Sequence, residues 1–269
     1  MRSLHALWVR IGVLAFAASA ASAAHAAPTE WWVVAARLDS GEHVFVEITL
    51  TDVGPGERNV AAIGNWIAKD GALTPFSRAK LEGDWTPSPD GKRIDLGKFV
   101  FDRSRPQAQL RVEKASLRLA LEFPLAAVPL ATKKLANGKW TQELWSAGAP
   151  VQVSFWKRGM AAPLVGKGRV ALSHRWVVGA EGKLAERRLE LFTLGAEPLY
   201  ALEVASGKRA ERWVVAFDAR GKLLAEESAT AFSLSLVASA AASCASGLPL
   251  ASHATTQRSA RLPFASSST

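Results

Sequence analysis

Large apolar residues recur at every second position along much of the chain, far more often than at helical spacing, and this alternation is the primary signal for half-buried strands. The run Ser116-Leu117-Arg118-Leu119-Ala120-Leu121-Glu122-Phe123 puts its large apolar groups on one face and mostly polar ones on the other. Val151-Gln152-Val153-Ser154-Phe155 and Phe232-Ser233-Leu234-Ser235-Leu236 repeat the pattern. Turn signals stand between such runs: Asp39-Ser40-Gly41, Asp70-Gly71, Pro89-Asp90-Gly91, Asn137-Gly138, Glu181-Gly182, Ser206-Gly207 and Arg220-Gly221. Many short strands joined by tight turns predict an all-β protein, a sandwich or an antiparallel barrel. Within residues 182–193, Leu184, Arg187, Arg188 and Leu191 also fit a helical spacing, but Leu189, Leu191 and Thr193 alternate and predict a strand from Leu189 onward.

The two ends depart from this pattern. Residues 1–26 have the grammar of a secretory leader: Arg2 and Arg10 are basic, residues 11–21 are apolar, and Ala24-His25-Ala26 is a small-x-small cleavage site. The apolar run is shorter than the ~20 residues that span a bilayer, so the expectation is a cleaved signal peptide, a mature start at Ala27, and a periplasmic or secreted product. Arg2 and Arg10 are not adjacent, and no Cys follows the cleavage site to take a lipid. At the other end, residues 237–269 are rich in Ala and Ser and predict a low-complexity tail, apart from one candidate strand at 248–250.

Removing the leader lowers the formal net charge from +9 to +7, because it takes away two arginines and no acid. A basic exported protein suits peripheral contact with anionic envelope surfaces and not nucleic acid, and Lys and Arg are dispersed as on solvated sheet faces. Cys244 is the only cysteine, so no internal disulfide supports the fold. It falls in the tail, with no His or Asn pattern around it. Trp32-Val33-Val34-Ala35, Trp176-Val177-Val178-Gly179 and Trp213-Val214-Val215-Ala216 share a short core, read either as hairpin composition or as duplication of a β unit.

The common catalytic vocabularies are absent. The mature histidines His43, His174 and His253 are not clustered as metal ligands, and no nucleophile elbow, Walker loop or dinucleotide fingerprint occurs, so neither metal nor cofactor is expected. Tryptophan is in excess. Trp31, Trp32, Trp66, Trp156, Trp176 and Trp213 fall on alternating segments where each could fill a core, or where together they could line an apolar ligand site in a barrel.

Glu30-Trp31-Trp32, running into a strand, resembles the Glu-Trp-Trp opening of the lipocalin-like family that includes carotenoid 1,2-hydratases and the AttH-type secreted proteins. Ser173-His174-Arg175-Trp176 stands where that family carries Asp-His-Glu-Trp, and the resemblance covers residues 30–236. It implies two consecutive lipocalin-like antiparallel β domains, here at 27–179 and, shortened, at 180–236. It further implies an apolar pocket and, in the family's enzymes, cofactor-free acid-assisted chemistry on isoprenoid or polyene substrates. Glu30, Trp31, Trp32, His174 and Trp176 match the motifs, whereas Ser173 and Arg175 replace the acidic neighbours of the histidine. Protonating a double bond needs a positioned acid, so this departure weakens the catalytic reading.

Three functions follow. The residues favour a binder of an apolar or amphipathic molecule in the cell envelope, with Trp31, Trp32, Trp66, Trp156 and Trp176 as ligand-contacting groups. A hydratase or isomerase-like enzyme would use His174 and Glu30. A structural envelope protein without a pocket is the third. Two readings of His174 accompany them: a structural histidine with Ser173 and Arg175 facing solvent, or a pocket-mouth group beside Glu30 whose protonation Arg175 disfavours.

Overall fold

The structure, a computed structural model, describes residues 29–51, 58–135, 140–177, 187–195, 197–206, 209–218 and 220–230, and every regular element among them is a strand. In chain order these are β1 (Thr29–Leu38), β2 (His43–Thr51), β3 (Asn59–Ile67), β4 (Leu73–Lys80), β5 (Arg93–Asp95), β6 (Phe99–Asp102), β7 (Gln107–Lys114) and β8 (Leu117–Pro124). They continue with β9 (Ala131–Leu135), β10 (Trp140–Lys157), β11 (Leu164–Val177), β12 (Arg187–Thr193), β13 (Leu199–Ser206), β14 (Arg209–Phe217) and β15 (Leu223–Thr230).

The first eleven strands form one antiparallel sheet in the order β4-β3-β2-β1-β11-β10-β8-β7-β6-β5, with β9 also paired to β10. The sheet curls into a half-barrel because each strand alternates apolar and polar residues, and only curvature brings all the apolar faces into one core. On β8 the inward Leu117, Leu119, Leu121 and Phe123 are buried while Arg118 and Glu122 are exposed, as the alternation predicts. Near the sheet's two ends, Arg78 Nε on β4 donates to Leu96 O beside β5 at 3.2 Å. The core is filled by aromatic packing: Trp66 stacks on Phe155 with ring centroids 4.0 Å apart, and the Phe76 ring fills the space that a side chain at Gly64 would need.

The remaining strands form a second antiparallel sheet in sequence order, β12-β13-β14-β15. Its Tyr200, Leu202, Trp213, Val215 and Phe217 pack with Leu135, Trp140, Leu144 and Val177 on the outer face of the first sheet, which makes a second core. The strand expected from Leu189 starts at Arg187. The change of sheet falls between Val177 and Arg187. The leader at 1–26, the cleavage before Ala27, the boundary at 179/180, the run 232–236 and the tail 237–269 with Cys244 lie outside the described residues.

Strand β10 carries two irregularities in its pairing with β11, between Leu144 and Ser146 and between Ala147 and Ala149. One extra residue would turn every later side chain to the wrong face. Two such insertions restore the parity, so Val151, Val153 and Phe155 return to the inner core while the bulged Trp145 also packs there.

Candidate functional site

On the inner face of the half-barrel, burial is graded along the strands. Val34, Ala36 and Leu38 on β1 and Val170 and Leu172 on β11 are sealed. Toward the start of β1, Glu30 is part-exposed, and toward the end of β11 so are His174 and Trp176. The open end of the inner face is where titratable and aromatic groups meet.

Strand register assembles them. Trp32 on β1 pairs with His174 on β11, and His174 pairs on its other side with Glu143 on β10. The His174 ring stacks flat on the Trp32 indole, centroids 3.7 Å apart and planes 8° apart, and leans against Trp176 at 4.9 Å. Its Nδ1 lies 3.3 Å from Glu143 Oε2, and its Nε2 lies 3.6 Å from Glu30 Oε2. The longer separation exceeds a hydrogen bond, and Nε2 is a buried ring nitrogen without one.

Each carboxylate is held by a further donor. Trp145 Nε1 donates to Glu143 Oε2 at 2.9 Å, and Arg58 Nη2 donates to Glu30 Oε1 at 3.2 Å. Burial pushes the Glu30 carboxyl up, but the His174 contact and the charges of His174 and Arg58 outweigh it, holding Glu30 below its ordinary value. Glu143 is likewise held low, with burial opposed by His174 and by the Trp145 bond. Both carboxylates are therefore ionised at neutral pH. They approach opposite ring nitrogens and do not converge on one point, and among the described residues no group of three His, Cys, Asp or Glu is set to hold a metal ion. Arg103, just after β6, lays its guanidinium carbon 3.6 Å from the centre of the Trp32 ring.

The expected site residues divide between the two faces. Glu30, Trp32, His174 and Trp176 come together at the open end of the inner face. Trp66 is on the inner face too, but deep in the core against Phe155 and 3% exposed. Trp31 and Trp156 correct the expectation that they point inward. Trp31 is on the outer face, stacked 5.8 Å from Trp140 beside the second core. Trp156 follows the inward Phe155, donates to Met160 O at 3.1 Å and lies under Arg118. Neighbours in a strand face opposite ways, so two consecutive tryptophans cannot both line one interior.

The same rule overturns the expectation for Ser173 and Arg175. Neither faces solvent and neither shares a face with His174. Arg175, 1% exposed, points through the sheet's outer face, where Nη1 meets Glu190 Oε2 of β12 at 3.0 Å and Nη2 meets Glu47 Oε2 at 3.5 Å. Ser173 Oγ and Tyr200 Oη donate to Glu190 Oε1 at 2.6 and 3.0 Å, so this network ties the two sheets together. The Arg175 charge is matched there, across the sheet from the imidazole.

Sequence reasoning missed Glu143, Trp145 and Arg103. The alternation Thr141-Glu143-Trp145 places an acid between polar and aromatic groups on one strand face, which is a signal for the first two. Arg103 follows a short strand in a turn and carries no such signal.

No family model matches the chain, and no curated protein does. A solved structure of a Nitrosomonas europaea protein provisionally named AttH is similar in fold, with a TM-score of 0.54 over 76% of this chain and 68% of that one at 15% identity. The half-barrel and its small second sheet thus have a lipocalin-like, AttH-like fold.

Proposed function

We propose that the protein is an exported binder of an apolar or amphipathic small molecule, held at the open end of the inner face in the cell envelope. The observation that carries this reading is the part-exposed Trp145, Trp176 and His174 gathered around the buried Trp32 ring, where aromatic surface stands beside a few polar atoms. Aromatic rings give a ligand a large rigid contact area, and the polar groups orient it. The depth of the core is occupied by Trp66, Phe76, Phe101 and Phe155, so the ligand lies against the end of the barrel. Export rests on the leader pattern of residues 1–26, and the lipocalin-like fold supports a ligand of this class.

A cofactor-free hydratase or isomerase-like enzyme on an isoprenoid or polyene substrate is the second reading. Glu143 favours it, since a carboxylate at Nδ1 orients an imidazole for proton transfer at Nε2. Glu30 and Glu143 are both held in the ionised form, which removes them as proton donors and leaves His174 alone for that role. The binding reading therefore ranks first.

The test is a titration of intrinsic tryptophan emission with a panel of lipids and polyenes, on the intact protein and on Trp176→Ala. Saturable quenching that weakens in Trp176→Ala is the expected result. Unchanged emission across the panel overturns the binding reading, and turnover of a polyene that is lost in His174→Ala with binding retained promotes the enzyme.

A further inference from the structure

We propose that the Arg103 guanidinium is the headgroup receptor of this site, and that the ligand is a monoanionic, carboxylate-headed amphiphile. The inference rests on the apolar-ligand reading above and specifies its chemistry.

A guanidinium offers five N–H donors, and buried donors are almost always matched. Arg103 makes one side-chain hydrogen bond among the described residues, from Nη2 to Gly91 O at 2.7 Å, and its Nε is buried with no partner. The nearby acids are engaged elsewhere. Asp102 meets Arg93 at 3.2 Å and accepts from Ser104, Asp90 accepts from Ser88 Oγ at 2.7 Å and from Lys92 N at 3.0 Å, and Glu30 meets Arg58 and His174. What Arg103 has instead of a carboxylate is aromatic surface, the Trp32 ring at 3.6 Å and the Phe101 ring at 5.4 Å.

A ring face attracts a cation but does not replace the water that burial removes. Burial accordingly pushes the Arg103 pKa down to about 10, against the opposing charges of Glu30, Asp90 and Asp102. A ligand anion would supply what the site lacks, since guanidinium and carboxylate meet through paired hydrogen bonds.

The charges also select the anion. The carboxylates of Glu30, Asp90 and Asp102, whose charges reach Arg103, are all held in the ionised form, so they repel a dianionic phosphate monoester more strongly than a monoanionic carboxylate. The part-exposed Trp145 and Trp176, beside Trp32 and His174, offer the apolar surface for a chain behind the headgroup.

The experiment compares decanoate, decanol and decyl phosphate, which share one chain length, by isothermal calorimetry on the intact protein, Arg103→Gln and Arg103→Lys. Circular dichroism establishes that both variants are folded. The intact protein is expected to prefer decanoate over decanol by roughly tenfold to hundredfold, the effect of a charged hydrogen bond. Arg103→Gln is expected to bind the two alike, and Arg103→Lys to keep part of the preference. Equal binding of decanoate and decanol by the intact protein, or an undiminished preference in Arg103→Gln, overturns the headgroup assignment while leaving the apolar-ligand reading intact. Tighter binding of decyl phosphate than of decanoate overturns the selection of a monoanion. Heat from none of the three probes contradicts the apolar-ligand reading and, with it, the inference.

Discussion

Replacing Arg175 with Met removes a guanidinium that is 1% exposed and leaves the Glu190 carboxylate, 6% exposed, without the cation 3.0 Å away. Breaking a buried pair on one side costs about 3–5 kcal/mol, because the remaining charge stays out of water without its cation. Here the lower end applies: Ser173 and Tyr200 still donate to Glu190, and a Met side chain keeps part of the packing against Trp31 and Trp140. A loss of about 3 kcal/mol in a chain of this size lowers the melting temperature by roughly 6–12 °C. Urea unfolding followed by circular dichroism, with the midpoint compared at constant slope, measures it. The second substitution isolates the cause. In Arg175→Met/Glu190→Gln the Glu190 charge is gone while an acceptor remains for Ser173 and Tyr200, and only the more distant Glu47 keeps its charge, so the double variant should recover about 2 kcal/mol. A single variant within about 1 kcal/mol of the parent protein, or a double variant no more stable than the single one, would refute the account of Arg175 as a matched buried charge joining the sheets.

Two further outcomes test the face assignments and the site. Glu30 and Glu143 titrate below their ordinary value of 4.5 when folded, so their stabilisation is fully present above that pH and is lost as the pH falls through the lowered values. Urea midpoints from neutral to acid pH should show this acid loss, and His174→Gln should flatten it; an unchanged acid limb in the variant would contradict the His174 coupling. Trp66→Ala, which empties a position stacked on Phe155, should cost about 3–5 kcal/mol. Trp156→Ala, on the outer face, should cost about 1 kcal/mol through its lost bond to Met160 O, and equal losses in urea unfolding would undo the inward and outward placement.

Much of the fold was legible in the chain. The alternation at Leu117, Leu119, Leu121 and Phe123 names both the element and its buried face, because a strand's side-chain period is two whatever its neighbours are. The juxtaposition of Glu30 with His174 was legible only through the resemblance of their flanking motifs. The adjacency of Arg175 to His174 in sequence misled: what is one residue away along a strand lies on the other side of the sheet.

The local pattern by itself therefore determined an all-β chain, the strand positions of β8 and of the second half of β10, and the tryptophan-rich start of β1. Which strands become neighbours is a matter of closing loops and of the register that buries the most apolar surface, and no local window contains it. That choice places Glu143 of β10 opposite His174 of β11, and Trp32 of β1 on its other side. It sends Arg175 into the seam between the sheets, where Glu190 of β12 matches it. Arg103 reaches Trp32 by the same long-range route, from a turn beyond β6 that local periodicity leaves unread. The sheet's outline is written in side chains two residues apart; its chemistry depends on pairs tens to more than a hundred residues apart, brought together only when the barrel curls.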